Sequence, residues 1–143
     1  MKVEGSYTFD APRDRVWSML MNPEALKNCV PGLESLTPTG ENAYDAALKV
    51  GVAAIRGNYK STIRLTDLVE PSSYKMNVEG KGGAGFVKGV ADIELVDQGG
   101  TTLVNVKGDG NVGGTVAGVG QRMLGGVAKM LMGQFFECLK KQL

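Results

Sequence analysis

Hydrophobic and polar residues alternate at the start of the chain. Val3, Gly5, Tyr7 and Phe9 take every second position and are separated by polar residues. A period of two places successive side chains on opposite faces of a β-strand. We therefore predict that the chain begins with a strand that has one buried face.

Two helix start signals follow the first strand. Pro12 suits the first turn of a helix, and Val16, Trp17 and Leu20 then share one apolar face. The second signal is the Asn-Pro-Glu sequence at residues 22–24, in which asparagine can cap a helix that begins with proline. We predict two short helices here.

Six further segments have the alternation of strands and are separated by turn residues. Short turns between consecutive strands indicate an antiparallel sheet, and the Gln-Gly-Gly sequence at 98–100 is a hairpin signal. The predicted strands cover residues 33–37, 44–50, 59–65, 74–79, 86–97 and 101–107.

The spacing changes near the C-terminus, where residues 115–143 have the apolar periodicity of one long helix, about 40 Å at 1.5 Å per residue. Each glycine inside a helix costs roughly 1 kcal/mol relative to alanine. Either the helix backbone approaches the sheet closely, or space is left open beside it; the second alternative indicates a protein that binds apolar molecules. The glycines in this segment include Gly118, Gly120, Gly125, Gly126 and Gly133.

The order of elements predicts one domain covering residues 1–143. It consists of a strand, two short helices, about six strands and a long helix. We expect an α+β helix-grip fold, in which a curved antiparallel sheet of about seven strands wraps around the C-terminal helix.

The charges are almost balanced, with sixteen Lys and Arg against fifteen Asp and Glu. We therefore expect no long-range field that would draw the protein to nucleic acid or to an anionic surface. The N-terminus lacks the apolar stretch of a signal peptide, and no window of about twenty residues is apolar enough to span a bilayer. We expect a cytoplasmic protein with at most peripheral contact with the inner face of the membrane.

The chain has two cysteines and no histidine. Cys29 and Cys138 lie far apart in sequence. A disulfide between them is one alternative, and buried free thiols in a cytosolic protein are the preferred interpretation. Without histidine, Ser-His-Asp and Cys-His sites are impossible, and a zinc site has too few ligands. We expect no catalytic residue, no metal and no cofactor.

Two glycine-rich segments match the G-x-G-x-x-G pattern of dinucleotide-binding turns. Residues 80–85 lie between two predicted strands and lack the helix whose N-terminus would hold a pyrophosphate. Residues 108–113 precede a helix, but no acidic residue follows about twenty positions later, and no second parallel strand completes the unit. We interpret the first segment as a flexible turn and the second as a bend that leads the last strand into the helix.

Methionine is frequent, with seven in the chain. A single methionine usually fills a gap in the core, but several near the helix glycines suit a deformable apolar pocket. Arg56 and Arg64 could reach the polar head of a ligand, although exposure to solvent is the default for both. The residues predicted to line an apolar cavity between helix and sheet are Trp17, Leu20, Val30, Leu48, Tyr59, Met76, Phe86, Met123, Val127 and Met130.

Several motifs resemble those of a known family. The pattern F-x-A-P-x-x-x-V-W-x-x-L-x-x-P at residues 9–23 resembles the START/Bet v 1-like (SRPBCC) helix-grip superfamily, which includes plant pathogenesis-related class 10 proteins and polyketide cyclases. Further blocks resemble the carbon monoxide dehydrogenase CoxG family from end to end. They are N-C-V-P-G-L-E at 28–34, G-K-G-G at 80–83, and V-G-G at 112–114 leading into Q-F-F at 134–136.

This resemblance implies an accessory protein encoded beside molybdenum-containing carbon monoxide dehydrogenases and related hydroxylases. It is associated with their maturation or membrane recruitment, and the oxidation itself belongs to the enzyme. We expect a non-enzymatic carrier whose cavity holds a quinone or lipid-like molecule and so links the soluble oxidoreductase to the membrane quinone pool.

Two other functions remain compatible with these residues. An interaction protein that binds the dehydrogenase would have a filled core, which a Met123→Trp substitution would overpack. An enzyme of the cyclase or dehydratase type would use Tyr59 or Asp45 inside the cavity as acid or base. That function requires a buried ionisable group with a strongly shifted pKa.

Overall fold

The computed structural model describes residues 1–52 and 55–143. Within them, seven antiparallel strands form one open sheet in the order β1-β7-β6-β5-β4-β3-β2. The strands are β1 (Lys2–Phe9), β2 (Leu33–Gly40), β3 (Ala43–Val50), β4 (Gly57–Val69), β5 (Ser73–Gly82), β6 (Gly85–Asp97) and β7 (Thr102–Gly113). The helices are α1 (Arg13–Leu20), α2 (Pro23–Cys29), a 3-10 helix (Thr115–Val119) and α3 (Gln121–Lys141).

The α+β helix-grip arrangement and the predicted order of elements are confirmed. The last strand runs further than alternation predicted, because Gly108 and Gly110 pair with β6 through the backbone without offering an apolar side chain. Residues 80–85 are also more regular than a flexible turn, since all but Gly83 and Ala84 belong to β5 or β6. Among the described residues, no helix has the length and apolar character needed to cross a membrane.

The prediction of one uninterrupted C-terminal helix is wrong. Thr115–Val119 forms a 3-10 helix, and Gly120 interrupts the chain with a φ of +97° before α3 begins. Glycine adopts this φ without the steric cost that a Cβ atom brings, so this residue allows the chain to change direction. With 21 residues, α3 is about 31 Å long.

The hydrophobic core lies at one end of the sheet, beneath α1 and the C-terminal half of α3. Phe136 of α3 stacks on Tyr7 with ring centroids 4.3 Å apart and meets Phe9 edge-on at 6.1 Å. Trp17 of α1 packs edge-to-face on Tyr74 at 5.4 Å. Burying one large apolar side chain contributes roughly 1.5–3 kcal/mol, so these contacts hold both helices on the sheet.

A disulfide joins α2 to the end of α3. It links Cys29 and Cys138, whose Cα atoms are 5.4 Å apart, so the expectation of free thiols is wrong. The sequence separation of 109 residues gave no sign that the two helices lie side by side. The expected cytoplasmic location thereby loses the support that free thiols would have given it.

Candidate ligand site between the C-terminal helix and the sheet

The face of the sheet toward α3, here called the inner face, changes character along its length. Its core end is filled by bulky residues such as Phe9, Leu95 and Val104. Further along, small residues take the inward positions of five neighbouring strands, and pairing brings Gly89 opposite Gly110. We call this region the small-residue floor; it consists of Ala46, Ser61, Gly80, Gly89, Ala91, Gly108 and Gly110.

No atom of α3 is among the nearest neighbours of the floor glycines, whereas Ala46 at the edge of the floor is buried. If a Cβ atom were added at Gly80, Gly89, Gly108 or Gly110, its three nearest heavy atoms would all belong to the sheet itself. The contrast is Gly5, where an added Cβ would lie 2.8 Å from Cε of Met132 on α3. The helix therefore contacts the sheet closely at β1, whereas the floor glycines are half-buried and have only strand atoms as their nearest neighbours.

The helix glycines also have open surroundings. A Cβ added at any of them would meet no heavy atom within 4 Å outside the backbone of the helix itself. Close approach of the sheet at these glycines is therefore wrong; Gly118, Gly120 and Gly126 are exposed, so solvent surrounds them, and a cavity beside the helix stays a prediction. The glycines concerned are Gly118, Gly120, Gly125, Gly126 and Gly133.

Three of the predicted lining residues lie on the inner face near the floor. Leu48 of β3 and Tyr59 of β4 are direct cross-strand partners, and Met76 of β5 is opposite Ala91. All three are half-buried. The ring of Tyr59 lies against Gly82, where an added Cβ would be 3.1 Å from Cδ1 of the ring.

Four other predicted lining residues lie at the edges of this region or in the core. Trp17 and Leu20 are only 3% and 2% exposed and belong to the core cluster beneath α1. Val30 follows the last turn of α2 and is half-buried, as is Val127 on α3. The part that these four side chains play in binding a ligand stays a prediction.

The prediction that Phe86 lines the cavity is wrong. Phe86 is 50% exposed and shares the outward side of β6 with Lys88, whereas Ile93 and Leu95 point into the core. Because side chains alternate along a strand, even-numbered residues of β6 face outward. Its ring lies over Gly113 on the outer face, opposite to the one that α3 covers.

The prediction that Met123 and Met130 line the cavity is also wrong. They are 55% and 45% exposed, whereas Leu124, Phe136 and Leu139 form the buried side of α3. Residues seven apart lie on the same side of a helix, so the two methionines form a solvent-facing stripe. The segment has two apolar stripes, and the prediction chose the one that faces away from the sheet.

Sequence reasoning missed the most distinctive part of the site, which is the small-residue floor. A usable signal was present, because Gly108 and Gly110 continue the inward parity of Val104 and Val106 along β7. Alternating glycines that follow alternating apolar residues in one strand indicate a sheet face that is kept free of side chains.

The two candidates for an acid or base do not face a common site. Asp45 pairs with Thr62 on the outer face and is exposed, so its predicted place inside the cavity is wrong. Tyr59 donates its O–H to the carbonyl oxygen of Ile55 at 2.7 Å, and partial burial raises its pKa above the ordinary value. At neutral pH Tyr59 therefore stays protonated and cannot act as a base.

Solved structures share this arrangement of sheet and helices. A START superfamily protein from Mycobacterium smegmatis superposes with a TM-score of 0.77 at 14% identity, covering 99% of this chain and 95% of that one. Ara h 8.0201 does so with a TM-score of 0.73 at 12% identity, covering 99% and 96%. These likenesses show that the chain has the START/Bet v 1-like helix-grip fold.

A conserved protein from Geobacillus kaustophilus is more similar, with 40% identity and a TM-score of 0.96 over 99% of this chain and 94% of that one. The sequence model of the carbon monoxide dehydrogenase CoxG family matches residues 5–143. This chain therefore belongs to the CoxG family, which confirms the resemblance seen in its motifs. A comparison with curated proteins gives no match.

Proposed function

We propose that this protein is a non-enzymatic carrier that serves a molybdenum-containing carbon monoxide dehydrogenase or a related hydroxylase. Membership of the CoxG family supports the association with such an enzyme. In this proposal an apolar molecule of quinone or lipid type occupies the space between α3 and the small-residue floor. The protein exchanges that molecule between the membrane and the enzyme.

The observation that carries this proposal is that no atom of α3 is among the nearest neighbours of the floor glycines. Glycine, alanine and serine at the inward positions leave a shallow, flat surface against which a planar ring or an acyl chain can lie. Ile63, Val78 and Met76 give this surface apolar neighbours on β4 and β5. A protein interior is normally packed to crystal-like density, so a sheet face without covering side chains favours a bound ligand.

The rival function, a docking module without a ligand, requires a filled core. In that case side chains of α3 would cover Gly89 and Gly110, and an added Cβ at these residues would meet atoms of the helix. The nearest atoms are instead those of the neighbouring strands, which favours the carrier.

The experiment that tests the proposal is organic extraction of the purified protein followed by mass spectrometry. We expect a quinone or acyl lipid in the extract. We also expect added decylubiquinone, a short-chain quinone, to stabilise the emptied protein by about 2.7 kcal/mol at a hundredfold excess over its Kd. A clean extract together with no quinone-dependent thermal shift would contradict the carrier function.

A further inference from the structure

The basic residues are unevenly distributed along this nearly neutral chain. Eight of the sixteen Lys and Arg residues fall in three segments, residues 46–66, 80–91 and 110–136, that contain no Asp or Glu. The other eight share the rest of the chain with all fifteen acidic residues. We expected no electrostatic attraction to an anionic surface because the total charge is almost zero. The total charge does not show that basic and acidic residues lie in different parts of the chain.

The fold brings the three segments to the same end of the sheet. The β3–β4, β5–β6 and β7–α3 connections all leave the sheet there, because neighbouring strands are antiparallel. The amide of Val116 donates to the carbonyl oxygen of Ala84 at 2.7 Å, which ties the last connection to the β5–β6 turn. We call this the basic end; its exposed basic residues are Lys49, Arg56, Lys60, Lys81 and Arg122.

Exposed apolar side chains lie among these basic residues. Phe86 is 50% exposed, and Met123 in the first turn of α3 is 55% exposed. Residues 50–55, 82–87 and 111–121, which form or border the connections, contain no charged residue. Apolar groups flanked by Lys and Arg are typical of proteins that bind at the surface of a lipid bilayer.

One pair of lysines at the basic end works against the stability of the isolated protein. Lys60 and Lys81 are direct cross-strand partners on the outer face, and Lys81 is in turn the partner of Phe86. Like charges directly opposite each other destabilise a sheet. Neither lysine belongs to an ion pair among the described residues, so both remain available to an anionic partner.

An open hollow of about 650 Å³ on the outer face adjoins this pair. Lys60, Lys81 and Lys88 border the hollow, together with the carboxylates of Asp45 and Glu79. The carboxylate of Glu79 lies 3.4 Å from Nζ of Lys88 and is thereby partly neutralised. Of the three lysines that border the hollow, Lys60 and Lys81 form no ion pair among the described residues, and the hollow has room beside them for a headgroup.

At the opposite end of the sheet, the exposed apolar residues lie beside acidic residues instead of basic ones. Leu68 and Val69 are 39% and 59% exposed, but they are flanked in sequence by Asp67 and Glu70. Carboxylates beside an apolar patch are repelled by an anionic surface. The combination of apolar and basic groups is therefore a property of one end of the molecule.

We propose that the basic end docks on membranes that contain anionic lipids, with Phe86 and Met123 at the apolar boundary and Lys60 and Lys81 at the headgroups. This inference deepens the proposed function and rests on it, because docking would bring the N-terminal half of α3 to the membrane from which an apolar ligand comes. An acidic face of a partner protein is the competing occupant. The uncharged stretches at residues 82–87 and 111–121, bordered by Lys81, Lys88 and Arg122, favour a bilayer, because they offer apolar groups beside basic ones.

The test is co-sedimentation with vesicles of phosphatidylcholine alone and of phosphatidylcholine with about one-third phosphatidylglycerol. We expect binding to the anionic vesicles only, and a large loss when salt is raised from about 0.1 M to about 0.5 M. The variant Lys60→Glu/Lys81→Glu should bind about 30-fold more weakly or worse, because each basic residue near the surface contributes about fivefold. Phe86→Ser should also weaken binding.

The matched control is Arg15→Glu/Lys141→Glu, which makes the same change in net charge at exposed residues of α1 and of the C-terminal end of α3, away from the basic end, and should bind as the native protein does. Failure to bind anionic vesicles, or equal losses in both double variants, would overturn the proposal. So would binding of Lys60 and Lys81 to an acidic partner protein without any vesicle binding. Decylubiquinone binding in solution, measured on the same variants, distinguishes this failure from failure of the carrier function.

Discussion

Cys29 at the end of α2 is bonded through a disulfide to Cys138 on α3, across 109 residues of sequence. The bond anchors the C-terminal half of α3, where Phe136 and Leu139 are also buried in the core. The N-terminal half carries Gly125 and Gly126 and has open surroundings. The N-terminal half is thus held by fewer buried side chains, chiefly Leu124, than the disulfide-linked C-terminal half.

Loss of the disulfide should lower stability without abolishing the fold. A cross-link that closes a loop of about 110 residues removes entropy from the unfolded chain worth about 3–5 kcal/mol. We expect Cys29→Ser/Cys138→Ser to lower the free energy of unfolding by that amount in denaturant titrations. Reductant should destabilise the native protein similarly and leave the double variant unchanged; a native protein indifferent to reductant would contradict the assignment.

Gly126→Ala should stabilise the protein. Gly126 is exposed, lies within α3, and has open space where the methyl group would be, so the gain is about 1 kcal/mol of helix propensity. We expect Tm to rise by about 3 °C in a thermal melt. The control is Gly120→Ala, which should lower Tm because Gly120 has a φ of +97° that alanine rarely adopts. Equal shifts in both variants would mean that α3 does not begin where the structure has it.

Tyr74 should make stability sensitive to alkaline pH. Its hydroxyl is buried beside Trp17, and burial raises its pKa above the ordinary value of 10.0. A raised folded-state pKa means that stability is fully present below pH 10.0 and is lost as pH rises above the pKa of the unfolded chain. The denaturant midpoint of the native protein should therefore fall more steeply between about pH 9 and about pH 11 than that of Tyr74→Phe. Parallel pH profiles would contradict this role.

The fold was predictable because it depends on periodicity. The alternation at Val3 to Phe9 and the helical spacing of Val16, Trp17 and Leu20 are local signals, and the structure confirms the elements that they predict. The break at Gly120 was missed because a single glycine in an apolar helical pattern does not reveal the sign of its φ.

The site was less predictable because residue type alone does not determine which face a side chain occupies. Phe86 was assigned to the cavity on its apolar character, although its parity with Lys88 places it outside. Met123 and Met130 repeat at helical spacing, as the residues of the buried side of α3 also do. The sequence therefore does not show which of the two sides packs on the sheet. The pairing of Cys29 with Cys138 likewise depends on long-range packing.

The central claim, an open space above the small-residue floor, is tested most directly by filling it. Gly108→Leu is suitable because a Cβ there would make only ordinary contacts, the nearest at 3.7 Å to the carbonyl oxygen of Val3. We predict that this variant keeps the native Tm and loses binding of decylubiquinone, measured by quenching of the single tryptophan. The exposed control Gly126→Leu should keep binding and raise Tm slightly through its better helix propensity. A Gly108→Leu protein that is destabilised by about 1–3 kcal/mol, as overpacking of a filled core would require, would contradict the account.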